Sequence, residues 1–252
     1  MSGPAVVRLS PVQHQSAPLR NKIIAVLRSA IETGVLAPGT RLIEKDLCDQ
    51  LNVSRTSLRE ALRELQAEGI FEPMSARGLT ISTISREDAE NAYRIRSVLE
   101  ALVVEQFIEK ADDIAVRDLA RHGESLRLAY QSGVLETIID TKRAFYDRIC
   151  TGADNAIAFD IINRLVLRTS SLRRHSLSRK ERHVQSIEEI DRLINAIQKR
   201  DIEAARQAAL DHVRNSARSA LDATETSRGQ KRGLEAQEKA DAATASRTMR
   251  RR

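Results

Sequence analysis

Apolar positions recur at helical spacing along most of this chain. In LRNKIIAVLRSAIETG, Leu19, Ile23, Ile24, Leu27 and Ile31 share one face, and Gly34 ends the pattern. After the turn LAPGT, the stretch RLIEKDLCDQL predicts a short second helix and NVS a tight connection. SRTSLREALREL then predicts a third helix that stops at Gly69. In IFEPMSARGLTIST the helical period is lost, and two short strands are expected around a turn at Ala76, Arg77 and Gly78. Helix, helix, turn, helix and hairpin in that order make a winged helix-turn-helix, here assigned to residues 17–84.

From residue 85 the helical period takes over completely. Ser85 is placed to cap REDAENAYRIRSVLEALVVEQFIEKA, with Asp88 three residues on. Amphipathic segments follow at 112–130, 134–151, 154–173, 179–199 and 201–223, with Asp201 as the cap of the last. Short connections between long helices predict an antiparallel bundle over 85–225. The fold class expected is thus mainly α: an N-terminal winged helix-turn-helix followed by an all-α antiparallel helical bundle. Residues 1–16 and 226–252 have no periodicity and are expected to be disordered.

Composition narrows the function classes. Aromatic residues are only 3% of the 252, with no Trp, which disfavours a stacking platform for sugars or single-stranded bases. No apolar run approaches the ~20 residues of a membrane span, and the N-terminus does not read as a secretory signal. Cys48 and Cys150 lie far apart in predicted helices, so packing roles and a cytoplasmic location are expected. The formal charge of +6 is misleading, because residues 226–252 carry eight Lys/Arg against three Asp/Glu. Any polyanion partner has to be inferred from where charges sit. The five histidines are scattered, and neither a P-loop nor a nucleophile elbow occurs, so an enzyme is not expected.

The third predicted helix carries the informative charge. At about 100° per residue, Arg55, Arg59 and Arg63 fall within roughly 80° of one another, on a different stripe from Leu58, Ala61, Leu62 and Leu65. Ser54 as N-cap places Arg55, Thr56 and Ser57 at the helix N-terminus, where free N–H groups favour a phosphate. Such a helix suits entry into a major groove: guanidinium forks for guanine and small hydroxyls for phosphate. The bland alternative is a solvated face whose arginines pair with Glu60 and Glu64. For Arg63 the two readings are evenly matched.

GVLAPGTRLIEKDLCDQLNVSRTSLREALRELQAEGIFEPMSARGLTIS closely resembles the DNA-binding domain of GntR-family transcriptional regulators. The resemblance implies base contacts by Arg55 and Arg59, phosphate contacts by Thr56 and Ser57, and wing insertion by Arg77 and Gly78. Lys45 stands where such proteins usually carry Arg; as a point charge it suits phosphate rather than guanine. The helical remainder resembles the effector domain of the FadR subfamily, through YRIRSVLEALVVE, TKRAFYDRICTGADN and AIQKRDIEAARQAALDHV.

Many effector domains of that subfamily hold a metal with one Asp and three His. The first two ligands, spaced Asp-x-x-x-His, fall here on Lys142 and Tyr146, the third on Ile190, and only His212 keeps its identity. An ammonium beside one imidazole is no metal site, so neither metal nor any other cofactor is expected. Lys142 is instead expected to pair directly with an anionic effector, with Tyr146 and His212 as hydrogen-bond donors and Arg96 as a further clamp. The alternative has Lys142 snorkelling to solvent, Tyr146 filling core and His212 structurally satisfied. The basic stretch RTSSLRRHSLSRKERH reads as a solvated face rather than an anion mouth.

The function expected is a transcriptional repressor: a homodimer on a palindromic double-stranded DNA operator, controlled by a small organic acid, with no membrane association. The other reading is an effector-independent dimeric DNA-binding protein that uses its basic tail for non-specific contacts.

Overall fold

A computed structural model of the chain describes residues 17–74 and 78–222. The N-terminal module runs α1 (Ala17–Thr33), β1 (Arg41–Leu42), α2 (Glu44–Leu51), α3 (Arg55–Ala67), β2 (Phe71–Pro73) and β3 (Leu79–Ile81). Ile23, Ile24, Leu27 and Ile31 of α1 pack on Leu58, Ala61, Leu62 and Leu65 of α3, and the core continues through Phe71 and Ile81. Leu19, expected on the same face, is 39% exposed, because it lies in the first turn of α1. Asn52 ends α2 in the left-handed conformation (φ 50°), which lets Asn52 to Ser54 make the whole connection to α3.

The sheet has three strands rather than the expected two. β3 lies in the middle, antiparallel to β2 (Phe71 opposite Ile81) and to β1 (Leu42 opposite Leu79). Arg41 and Leu42, read as the start of the second helix, pair with β3 instead; two residues are too few to show a strand period. At the wing, Met74 N–H donates to the Gly78 carbonyl at 3.1 Å. Gly78 adopts φ +131°, where an L side chain is strained, and this accounts for glycine at that corner. Arg77 lies outside the described residues, as do the segments 1–16 and 226–252.

The bundle consists of α4 (Arg86–Lys110), α5 (Asp113–Ser132), α6 (Leu135–Ala153), α7 (Ala156–Arg168), α8 (Ser170–Leu177), α9 (Lys180–Gln198) and α10, described over 202–222. Ser85 caps α4 by accepting from Asp88 N–H at 3.0 Å, and its hydroxyl donates to the Asp88 carboxylate. Asp201 accepts from Ala204 N–H at 3.0 Å at the start of α10. The single helix expected over 154–173 is two: the chain departs from helical geometry at Thr169 (φ −98°, ψ 11°), and α8 runs on from there to Leu177. α6 lies centrally against α4 and α5, and α5 packs on α9. Cys48 and Cys150 are free thiols buried in the two cores. No helix among the described residues is long and apolar enough to cross a membrane.

The two modules share a boundary. Leu167 of α7 is buried in the core of the N-terminal module. Arg174 of α8 donates to the Thr33 carbonyl at the C-terminus of α1, at 2.6 Å. Gly34 makes room for this guanidinium: a Cβ there would lie 1.4 Å from Arg174 Nη1.

Candidate nucleic-acid interface and buried polar cluster

Hydrophobic packing of α3 on α1 fixes which face of α3 meets solvent. Leu58, Ala61, Leu62 and Leu65 are 2% exposed or less, which leaves Arg55, Thr56, Arg59 and Arg63 exposed. Ser54 caps the helix by accepting from Ser57 N–H at 3.2 Å, and the Ser54 and Ser57 hydroxyls lie 3.0 Å apart. Ser57 is therefore half-buried and already engaged, while Thr56 is open. Lys45 is exposed on α2 and Gly78 is exposed on the wing.

The ion pairs on this face differ from the simple alternative. Glu60 and Glu64 do not hold the arginine stripe: Glu64 pairs with Arg20 of α1 at 3.4 Å. Arg59 is held instead by Glu44 of α2, Nε to Oε2 at 2.8 Å. Among the described residues Arg55 and Arg63 have no ion-pair partner. The helix N-terminus thus carries an uncompensated guanidinium beside an open hydroxyl, with a second guanidinium one turn on under light restraint.

Inside the bundle the polar residues form a connected cluster. Lys142 of α6 is only 4% exposed and does not snorkel. Its Nζ lies 2.9 Å from His212 Nε2 and 3.4 Å from the Tyr130 hydroxyl. His212 Nδ1 faces Glu189 Oε2 at 2.7 Å. Since that carboxylate can only accept, Nδ1 carries the proton and Nε2 accepts from Lys142. Glu189 also accepts from Arg182 at 2.5 Å and from Asn215 at 2.8 Å.

Electrostatics follow from this packing. Burial, Lys142 and Arg182 outweigh Glu189 and push His212 down to about 3, so the imidazole is neutral. Burial would raise Glu189, but the hydrogen bonds from His212 and Arg182 hold it at about 2. Burial, with Arg173, Arg182 and Arg96 nearby, holds Lys142 well below the usual amine range. His212 thus has both ring nitrogens engaged.

Arg96, Lys142 and Tyr146 line a cavity of about 40 Å³, together with Glu100, Arg143 and Arg173. Arg96 is clamped by Glu100 at 2.7 and 3.0 Å, and its Nη1 is buried with no hydrogen-bond partner in the protein. The same holds for the Tyr146 hydroxyl, whose acidity burial and Glu100 suppress. His212 does not line this cavity; it stacks on Tyr146 at 6.2 Å between ring centroids and supports Lys142 from behind. The stretch 168–183, expected as a solvated face, turns inward in part: Arg182 and His183 are buried and Arg173 faces the cavity.

The donor set does not fit a metal ion. Among the described residues no three His, Cys, Asp or Glu side chains are gathered as ligands, and His212 Nε2 receives a Lys142 proton.

Sequence reasoning missed Glu100, Arg173, Arg182 and Glu189. A signal was present on α9, where Arg182, Ser186 and Glu189 continue the stripe of Leu193 and Ile197 and are buried with it. Arg96 and Glu100 likewise sit one turn apart within the buried face of α4.

Comparison with known proteins agrees with this architecture. The family model described as bacterial regulatory proteins, gntR family, matches residues 19–81, and the FCD domain model matches residues 91–215. The HTH-type transcriptional repressor RspR of Escherichia coli is 27% identical over 216 residues, covering 84% of this chain and 91% of that protein. The HTH-type transcriptional regulator YdhC of Bacillus subtilis is 27% identical over 187 residues, covering 74% and 84%. The solved structure of E. coli McbR/YncC superposes with a TM-score of 0.74 at 24% identity, over 82% of this chain and 99% of that one. With a winged helix-turn-helix joined to an FCD-type helical domain, the chain belongs to the gntR family of bacterial regulatory proteins and is a transcriptional regulator.

Proposed function

We propose that the protein is a dimeric repressor that reads a palindromic operator through the N-terminal half of α3 and is controlled by a small carboxylate in the bundle cavity, without a metal. The observation that carries the DNA reading is the exposed Arg55 and Thr56 at the capped start of α3, with Arg59 one turn on. Arg55 and Arg59 serve as base-reading forks; Thr56, Ser57 and Lys45 serve the phosphates, and Arg63 follows the backbone. Gly78 shapes the wing that Arg77 would tip. Repression is the activity named for the E. coli relative RspR.

Dimerisation is supported by an apolar stripe. Ile95, Val98 and Leu102 form an exposed stripe on α4, and Ile157 and Ile161 are exposed on α7, which packs on α4. A two-fold pairing would bury this stripe against its own copy and present two reading helices to two half-sites. For the effector, the supporting observation is cationic: Arg96, Lys142 and Arg173 around one cavity, with Arg96 Nη1 and the Tyr146 hydroxyl unpartnered. The location that suits this work is the cytoplasm.

The test is operator selection from random duplex DNA, then equilibrium binding of the selected site. Arg55→Ala is expected to weaken the selected site by about 1–3 kcal/mol and to relax the preference at one base pair per half-site. Deleting 226–252 is expected to weaken all sequences alike and to lower the salt dependence. Loss of preference on tail deletion, with Arg55→Ala silent, would refute the reading.

A further inference from the structure

The cavity that holds Arg96, Lys142 and Tyr146 is not closed by the bundle alone. Its wall includes Glu32, which belongs to the last turn of α1 in the DNA-binding module. The Glu32 side chain is 10% exposed and ion-paired with Arg143 of α6, yet its Oε2 makes no well-aligned hydrogen bond. It is also the foremost acidic neighbour of Arg173, partly offsetting the burial that lowers that guanidinium. A carboxylate from the reading module therefore sits where the bundle gathers its cations.

We propose that Glu32 is a built-in competitor of the effector: its carboxylate closes one wall of the cationic cavity, and a small carboxylate ligand takes its place on Arg143, beside Arg173. The inference rests on the effector reading above and adds how binding reaches the DNA. Size supports exchange over simple addition. About 40 Å³ accommodates two or three waters, too little for an organic acid unless a wall moves. Glu32 is the wall element that the ligand's own chemistry can replace, because one carboxylate substitutes for another on the Arg143 guanidinium.

The displaced element has a stiff connection to the reading helix. Arg28 Nη2 of α1 donates to both carboxylate oxygens of Glu68, the C-cap residue of α3, at 2.7 and 2.6 Å. Ile23, Ile24, Leu27 and Ile31 pack on the leucines of α3. A shift at the C-terminal turn of α1 is therefore passed to α3 as a rigid-body movement. Two further contacts join α1 to the bundle, the Arg174 bond to the Thr33 carbonyl, next to Glu32, and the seating of Leu167 in the core beneath α1, and they act as the pivot. Ligand binding then has two discrete arrangements to choose between, α1 latched or α1 released, which is the requirement for coupling two sites.

Glu32→Gln keeps the shape and removes the charge; Arg143→Gln removes the cation that the ligand and Glu32 would share. Binding of acetate, glycolate, malonate, succinate and gluconate to the full chain is measured by calorimetry, and operator binding is measured with and without the tightest of them. The expected result is opposite shifts: Glu32→Gln binds the carboxylate at least about fivefold tighter, Arg143→Gln at least about fivefold weaker. In Glu32→Gln the operator affinity no longer responds to the carboxylate. A purely structural ion pair would lower the melting temperature of both variants and move carboxylate affinity in the same direction in both, which would overturn the latch. Equal carboxylate affinity in wild type and Glu32→Gln would overturn the latch and leave the effector reading standing. No binding of any of the five acids to any of the three proteins would remove the effector reading, and the latch with it.

Discussion

On α3, Arg55 and Arg63 stand in solvent with no ion-pair partner among the described residues, whereas in the bundle Arg96, Arg182 and His212 are each joined to a carboxylate and 5%, 4% and 1% exposed. An exposed guanidinium is stable wherever it is placed, so its position can be set by a partner outside the chain. A buried one has to be matched inside the chain, or the desolvation it suffers is not recovered. The first arrangement separates binding from stability. The second ties them together, so that changes in the bundle should be felt first as stability and changes on α3 first as affinity.

The strongest challenge to that contrast is Glu189→Ala. It strips the acceptor from His212, Arg182 and Asn215 at once, and Glu189 itself is only 3% exposed. Removing one member of a buried charged set costs about 3–5 kcal/mol, to be read from urea unfolding monitored by circular dichroism. Arg55→Ala measured in the same way should stay within about 0.5 kcal/mol of wild type. A loss below about 1 kcal/mol for Glu189→Ala would mean that the cluster is loosely held and that the contrast is wrong.

A smaller effect, and one specific to the cluster, comes from protons. His212 is neutral in the fold down to about pH 3 but takes up a proton in the unfolded chain below about 6.5. Between those values unfolding binds a proton, so stability falls as pH falls, by up to about 1.4 kcal/mol per pH unit. Glu189, held at about 2, adds to the loss once pH drops below the ordinary glutamate range near 4.5. Thermal melts across pH 7 to 4 should show this slope, and His212→Gln should flatten its upper part, from pH 6.5 to 4.5. An unchanged slope in that variant would place the titrating group elsewhere.

What could be read in the sequence divides along the same line. The α3 face was legible because everything that fixes it is local: a cap at Ser54, leucines at helical spacing, and arginines one turn apart on the other side. The helix-turn-helix and the bundle followed from the same periodicity. The cluster was half legible. Lys142, Tyr146 and Arg96 were found through inward spacing and resemblance, and they do share a cavity; their counter-charges on α4 and α9 were missed. Polar residues on an apolar stripe look like interruptions until the facing helix is known, and Glu189 meets His212 only because α9 and α10 pack side by side. β1 was invisible for a different reason: two residues have no period. The break at Thr169 left no glycine or proline to mark it.

The finest test of the contrast is Glu44, where an exposed arginine does have a partner. Glu44 holds Arg59 at 2.8 Å, but the two side chains are 36% and 60% exposed, so the pair contributes at most about 1 kcal/mol to stability. Glu44→Gln should therefore leave the unfolding free energy within about 0.5 kcal/mol. Its effect on DNA should be larger than its effect on folding, because the same carboxylate repels phosphates and must release Arg59 before a base can be read. Operator affinity is expected to rise about two- to fivefold at low salt, with the gain shrinking as the Debye length falls below the distance from Glu44 to the nearest phosphates. The opposite sign would be equally informative. Weaker operator binding by Glu44→Gln would mean that the carboxylate orients Arg59 for the groove, and that even on the exposed face one cation is set from within the chain.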